Sequence, residues 1–264
     1  MSPRELAQHD KPTGLLIDLD GTVWDGDALI RGADRAVNAL REAGVPFRFV
    51  TNITRVPRGT IARWLADSGI AATADEVFTP PLAAASWLKD RQIRRVFICL
   101  PPHTFEEFTD FIVDQQAPEA VVIGDMGDGW TLEVMNTAFR LLLAGSKFVA
   151  LHRNRYWKTS RGLCLDAGAF VAALEYASGR EATLVGKPSR PLFEAAAHSM
   201  GLSPGDVAMV GDSLRTDIVG AKEAGSRAIL VRTGNFDEEE LRRSPVQPDL
   251  VVDSLAAVPG ALLP

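Results

Sequence analysis

The sequence predicts an α/β protein: a Rossmann-like, doubly wound, mostly parallel sheet whose chain is interrupted by an inserted α/β unit. Three observations carry that expectation. Short apolar runs alternate with stretches of helical periodicity from Gly14 to Val252, the order that builds a parallel sheet covered on both faces. Carboxylates recur just beyond the apolar runs, and open α/β sheets bind their ligands outside the carboxyl ends of their strands. Pro80-Pro81 then breaks the series, and a long second run of the same alternation passes before Gly179-Arg180-Glu181 punctuates the chain again.

The elements follow in order. Gly14 to Leu19 is short, almost wholly apolar and ended by Gly21, so it reads as a buried strand. Ala33 to Ala43 has helical periodicity and stops at Gly44. Pro46 to Val50 follows as a strand running into Thr51-Asn52, and Pro57 opens a helix through Ile61, Trp64 and Leu65 that stops at Gly69. Beyond Pro80-Pro81, strands are expected near Val96–Leu100, Ala120–Gly124 and Lys147–Leu151, with an apolar-striped helix over Leu132–Leu143. Thr183-Leu184-Val185-Gly186 is expected to open a third stretch, with strands at Val207–Val210, Ala228–Val231 and Leu250–Val252. On this reading, residues 1–80 and 183–264 form the Rossmann-like core and residues 81–182 the insertion.

Composition narrows the class. The 264 residues suffice for one large domain or two modest ones, and 46% hydrophobic with 23% charged residues is a globular profile. A formal net charge of −6 argues against general affinity for nucleic acid or anionic membranes. No apolar run approaches the roughly 20 residues that span a bilayer, and Met1 to Pro12 lacks the apolar stretch of a signal peptide, so a cytoplasmic protein is expected. Cys99 and Cys164 stand in apolar contexts without metal-ligand spacing and are expected as free thiols. His9, His103 and His198 show no partner pattern and read as surface or packing residues.

The chemistry is concentrated at four places. Asp18 and Asp20 lie two apart at a strand tip, where both would face one spot. Two like charges there repel, and folding alone gives little reason to put them together; a divalent cation and an incoming phosphate supply one. At the second tip, the Thr51 hydroxyl and the Asn52 N–H suit phosphoryl oxygens, although both are ordinary turn residues taken alone. Lys187, between Gly186 and Pro188, suits neutralising a carboxylate and a phosphate; taken alone it is a solvated lysine. Finally, Asp212 follows the strand Val207–Val210, with Ser213 beside it and Asp217 five residues on. The Asp212 carboxylate suits Mg²⁺, a hard cation that prefers oxygen, while a helix cap is the structural alternative. Asp217 is the residue best placed to hold the lysine.

Through these residues the chain resembles the haloacid dehalogenase-like hydrolases. Asp18-Leu19-Asp20-Gly21-Thr22 resembles the family's first motif, Thr51-Asn52 the second, Lys187 the third, and Gly211-Asp212-Ser213 with Asp217 the fourth. An insertion between the second and third motifs resembles the branch with large α/β caps, the NagD-like phosphatases. The run from Ala150-Leu151-His152-Arg153-Asn154-Arg155-Tyr156-Trp157 to Ala173-Leu174-Glu175-Tyr176-Ala177 is similar to the phospholysine phosphohistidine inorganic pyrophosphate phosphatase group, and Asp125-Met126-Gly127-Asp128 fits that group loosely.

The resemblance implies a Mg²⁺-dependent phosphatase acting through an aspartyl-phosphate. Asp18 would be the nucleophile and Asp20 the acid and base. Thr51, Asn52 and Lys187 would hold the phosphate. Asp18, Asp212 and the backbone carbonyl of Asp20 would hold the metal, with Ser213 and Asp217 in support. An acid at position 20 fits rapid hydrolysis of the intermediate, unlike the residue such as Thr found in transporter ATPases.

The cap is expected to set substrate choice, and His152, Asn154 and Arg155 are its candidate contacts, a solvated loop being the equal alternative. Trp24 and Asp25 are candidate neighbours of the leaving group. Phosphoramidates or pyrophosphate, sugar phosphates and phosphoglycolate-like acids all stand open as substrates, and caps of this size imply a homodimer. A phospho-receiver or binding module is the competing class, since receivers also gather Asp, Thr and Lys at strand ends. Receivers are smaller, however, and need no cap.

Overall fold

The computed structural model describes residues 11–159 and 162–263, so His9 lies outside the described residues. The chain forms two compact units. One holds the chain up to Thr51, Arg58–Phe78 and Lys187–Pro264; the other holds Asn52–Pro57 and Thr79–Gly186. The second unit therefore takes in a few residues on either side of the expected insertion, together with the short segment that follows Thr51.

The first unit is built on a six-stranded parallel sheet. Its strand order is Leu250–Val252, Arg227–Val231, Val207–Gly211, Gly14–Ile17, Phe47–Val50 and Val77–Phe78. Gly14–Ile17 lies at the centre because it is apolar on both faces: Leu15, Leu16 and Ile17 are fully buried, each stabilising the fold by roughly 1.5–3 kcal/mol. Helix Ala33–Glu42 buries Ala33, Ala36, Val37 and Leu40, the i, i+3, i+4, i+7 spacing that puts one apolar stripe on one face. Helices Arg190–His198 and Val219–Ala224 pack on each other. A two-residue hairpin, Trp24–Asp25 with Ala28–Leu29, follows the central strand.

The second unit has its own parallel five-stranded sheet, in the order Thr183–Leu184, Lys147–Ala150, Ala120–Ile123, Arg95–Cys99 and Ile112–Val113. Thr183–Leu184 thus pairs with Lys147–Ala150 instead of opening the core's third stretch. Its apolar pattern is the same in either sheet, and only the distant partner decides between them. Phe97, Val121, Ile123, Leu141, Leu142, Phe148 and Leu174 form the core of this unit, and Trp130 stacks on Phe170 at 4.3 Å. An antiparallel hairpin, Tyr156–Thr159 with Gly162–Leu165, follows the loop that carries His152, Asn154 and Arg155. Cys99 is buried and Cys164 half-buried, both as free thiols. No helix among the described residues is long and apolar enough to cross a membrane.

Candidate active site

Strand register brings the first and fourth motifs together. Ile17 pairs with Val210 and the Asp18 N–H donates to the Val210 carbonyl at 2.9 Å, so Asp18 leaves the sheet beside Gly211 and Asp212. Thr51, at the end of the neighbouring strand, is buried and donates its N–H to the Phe78 carbonyl at 3.1 Å. Lys187, 4% exposed, lies 2.5 Å from Asp18 Oδ1 and 2.8 Å from Asp217 Oδ1. Asp18, Asp212 and Asp217 are all buried and present carboxylate oxygens within 4.8 Å of one another. The first unit thus contains Asp18, Asp20, Thr51, Lys187, Asp212, Ser213 and Asp217, while Asn52, His152, Asn154 and Arg155 belong to the second.

The local fold aims each of these side chains. Ser213 caps the short turn Leu214–Ile218, accepting the Thr216 N–H at 3.3 Å, and its own N–H donates to Asp217 Oδ2 at 3.0 Å. Both Asp217 oxygens are therefore engaged, one by lysine and one by backbone. Asp212 Oδ2 accepts from the Asn235 backbone N–H at 2.6 Å and from its Nδ2 at 3.0 Å. Gly21, at φ +86°, lies against the same carboxylate, and a Cβ there would fall 1.9 Å from Asp212 Oδ2; glycine is the residue that fits.

Asp20 differs from Asp18. It is exposed, stands outside the carboxylate cluster, and accepts the Trp24 indole Nε1–H at 2.9 Å. Trp24 thus holds a carboxylate of its own motif. The Thr22 hydroxyl lies 3.5 Å from Asp18 Oδ2.

Charge explains why the cluster suits a cation. Three buried carboxylates face one ammonium, and two like charges at such separations repel by about 3 kcal/mol at intermediate dielectric. Burial, and then the Asp217 charge, push Asp18 well above the usual carboxylate range, although Lys187 opposes them. Burial, reinforced by Asp217, raises Asp212 to about 6. For Lys187, burial works to lower the ammonium, but Asp18 and Asp217 outweigh it and hold it above the ordinary lysine range. An all-oxygen, under-neutralised donor set fits a hard divalent cation.

Comparison with known proteins agrees with this geometry. The family model described as haloacid dehalogenase-like hydrolase matches residues 15–112, and a second, HAD-hydrolase-like model matches residues 184–258. The chain is 38% identical to human haloacid dehalogenase-like hydrolase domain-containing protein 2, over 88% of this chain and 89% of that one. It is 36% identical to phospholysine phosphohistidine inorganic pyrophosphate phosphatase of Xenopus laevis, over 94% of each. A 4-nitrophenylphosphatase structure from Thermotoga maritima superposes with a TM-score of 0.89 at 30% identity, covering 96% of this chain and 98% of that one. The chain belongs to the haloacid dehalogenase-like hydrolases. It is a phosphatase, and a phospho-receiver module is set aside.

Within this hydrolase, sequence reasoning missed Asn235 and Thr233. The Thr233 hydroxyl donates to the Gly21 carbonyl at 2.6 Å. Both residues follow the strand Arg227–Val231, so the strand-tip argument applied to carboxylates would have found them had it been extended to amides and hydroxyls. Among the cap candidates, Arg155 is exposed and Asn154 half-buried, whereas His152 is 2% exposed. His152 Nε2 lies 3.6 Å from Asp166, and Nδ1 accepts the Asn154 N–H at 3.3 Å. Burial lowers its imidazole below the usual histidine range. His103 is not partnerless, since its Nε2 lies 2.9 Å from the Arg55 carbonyl.

Proposed function

We propose that this protein is a Mg²⁺-dependent phosphatase of small phosphorylated molecules that works through an aspartyl-phosphate on Asp18. The observation that carries the reading is the buried Asp18–Lys187–Asp217 bridge with Asp212 beside it. Asp18 and Asp212 would hold the cation together with the backbone carbonyl of Asp20. When bound, Mg²⁺ supplies positive charge that offsets the repulsion between carboxylate and phosphate.

The chain's own residues then divide the work. Lys187, fixed by Asp217, opposes the burial that disfavours the Asp18 carboxylate and aims it. The Asp18 carboxylate attacks phosphorus, and the bond to the leaving oxygen or nitrogen breaks as Asp20 gives that atom a proton. Asp20, now a carboxylate, takes a proton from water, whose oxygen attacks the phosphoryl group. Inorganic phosphate leaves and Asp18 is restored. Thr51 and the Asn52 N–H orient the phosphoryl oxygens, Ser213 and Asp217 support the fourth motif, and Trp24 holds Asp20.

For substrate, phosphoramidates or pyrophosphate come first, because relatives 36% identical over almost the whole chain bear that name. Sugar phosphates and phosphoglycolate-like acids are the second reading. Assembly as a homodimer and residence in the cytoplasm belong to the same proposal. Purified protein with Mg²⁺, assayed by kcat/KM on P–N, P–O–P and P–O compounds, tests it. Asp18→Asn is expected to abolish turnover and Asp20→Asn to lower it sharply. Ordinary Mg²⁺-dependent activity in Asp18→Asn refutes the nucleophile assignment, and broad, weak hydrolysis of monoesters alone removes the P–N and P–O–P preference.

A further inference from the structure

The segment that follows Thr51 groups with the inserted unit instead of with the sheet that carries Thr51. Specific contacts within that unit hold it. The buried Thr54 hydroxyl accepts the Asp125 N–H at 3.1 Å, Arg55 Nε lies 3.0 Å from Asp125 Oδ2, and the Arg55 carbonyl pairs with His103 Nε2 at 2.9 Å. Asp125 is aimed by its own turn, because its Oδ1 accepts the Gly127 N–H at 2.8 Å. Gly127 takes φ +54°, and a Cβ there would meet Arg55 Nη1 at 3.3 Å, so the turn is shaped to receive the guanidinium.

Asp125 and His103 stand just beyond the neighbouring strands Ala120–Ile123 and Arg95–Cys99. The carboxyl edge of the inserted sheet therefore grips one loop through a charge pair and two hydrogen bonds. At the loop's other end, a Cβ on Gly186 would fall 2.9 Å from Asn52 Oδ1, so Asn52 packs against the residue that precedes Lys187.

We propose that Arg55 and Asp125 are positioning residues of the phosphatase, a clamp through which the inserted unit fixes the backbone that presents Asn52 to the phosphoryl group. The proposal rests on the reading of Asn52 as a phosphate contact. A loop set by side chains outside the second motif can be displaced without touching the motif itself, and small misplacements of a positioning group cost rate steeply.

The test is a kinetic cycle on the full chain with Mg²⁺, using p-nitrophenyl phosphate and inorganic pyrophosphate as probes. Arg55→Met and Asp125→Asn are each expected to lower kcat/KM about tenfold, by the same factor for both probes, because only the phosphoryl group is common to them. The double variant should be no worse than the poorer single one, and Arg55→Lys should recover most of the loss. Melting midpoints check folding; if Asp125→Asn does not fold, Arg55→Met against Arg55→Lys carries the test. Single variants within twofold of the parent, additive losses, or a loss confined to one probe each overturn the clamp. An active Asp18→Asn brings down the nucleophile assignment instead and leaves the cycle standing.

Discussion

Replacing Asp212 by Asn should stabilise the metal-free protein while destroying its response to magnesium. Burial and Asp217 raise the Asp212 carboxyl to about 6, against an unperturbed 3.8. A group whose folded-state value lies above its unfolded one favours folding fully below the unfolded value and loses that contribution as pH rises through the folded value. Asp212 is therefore neutral and costless near pH 4, and ionised at the expense of the fold above about pH 6. Two units correspond to about 3 kcal/mol, or roughly 6–12 °C in melting midpoint at about 2–4 °C per kcal/mol. Asn is nearly isosteric and can keep its amide oxygen facing the two Asn235 donors. In EDTA at pH 8 the variant should melt several degrees above the parent, with the gap closing toward pH 4. Magnesium at a hundred times its dissociation constant adds about 2.7 kcal/mol to a protein that binds it, and that gain should appear in the parent alone. The assay is differential scanning fluorimetry across pH, with and without Mg²⁺, beside phosphate release. A lower midpoint for Asp212→Asn in EDTA at pH 8, or equal Mg²⁺ gains in both proteins, refutes the electrostatic reasoning.

Three other outcomes are expected. Trp24→Phe keeps the ring but removes the indole donor to Asp20, so kcat should fall several-fold with KM nearly unchanged in steady-state kinetics. Asp217→Asn takes one of two carboxylates from Lys187 while keeping an acceptor for the Ser213 N–H; kcat should fall at least tenfold, and an unchanged kcat would show that Asp217 does not position the lysine. Burial pushes the Cys99 thiol far up, so in the folded protein alkylation at pH 8 followed by peptide mass spectrometry should find Cys164 modified well before Cys99.

How far the sequence could be read depended on whether the deciding contact was local. The central strands were legible because a parallel strand buried on both faces is apolar throughout, and the carboxylates that end Gly14–Ile17 and Val207–Gly211 mark the sheet edge unmistakably. Two-residue strands such as Val77–Phe78 and Ile112–Val113 are too short for any period to show. The hairpin Tyr156–Thr159 with Gly162–Leu165 leaves the apolar Tyr156, Leu163 and Leu165 exposed, so these residues follow no burial pattern that a sequence reading could use. The pairing of Thr183–Leu184 with Lys147–Ala150, and that of Arg55 with Asp125, join positions far apart in the chain and leave no trace in either neighbourhood.

On the proposed mechanism, the two acids of the first motif take two chemical roles at one strand tip. Period-two alternation predicts both on one side, but the strand ends at Ile17 and Asp20 stands outside the carboxylate cluster. Their difference comes from surroundings the spacing does not contain. A nucleophile must be dry enough to be reactive and must have its charge met: Asp18 is 4% exposed and paired with Lys187. A proton carrier must exchange with water without losing its aim: Asp20 is exposed and tied to the Trp24 indole. Exchanging the environments would leave an attacking carboxylate solvated and a proton carrier sealed from its water. Divergent environments of neighbouring carboxyls are how acid and nucleophile are told apart in general. On this proposal the separation is made by one lysine from beyond the insertion and one indole four residues away.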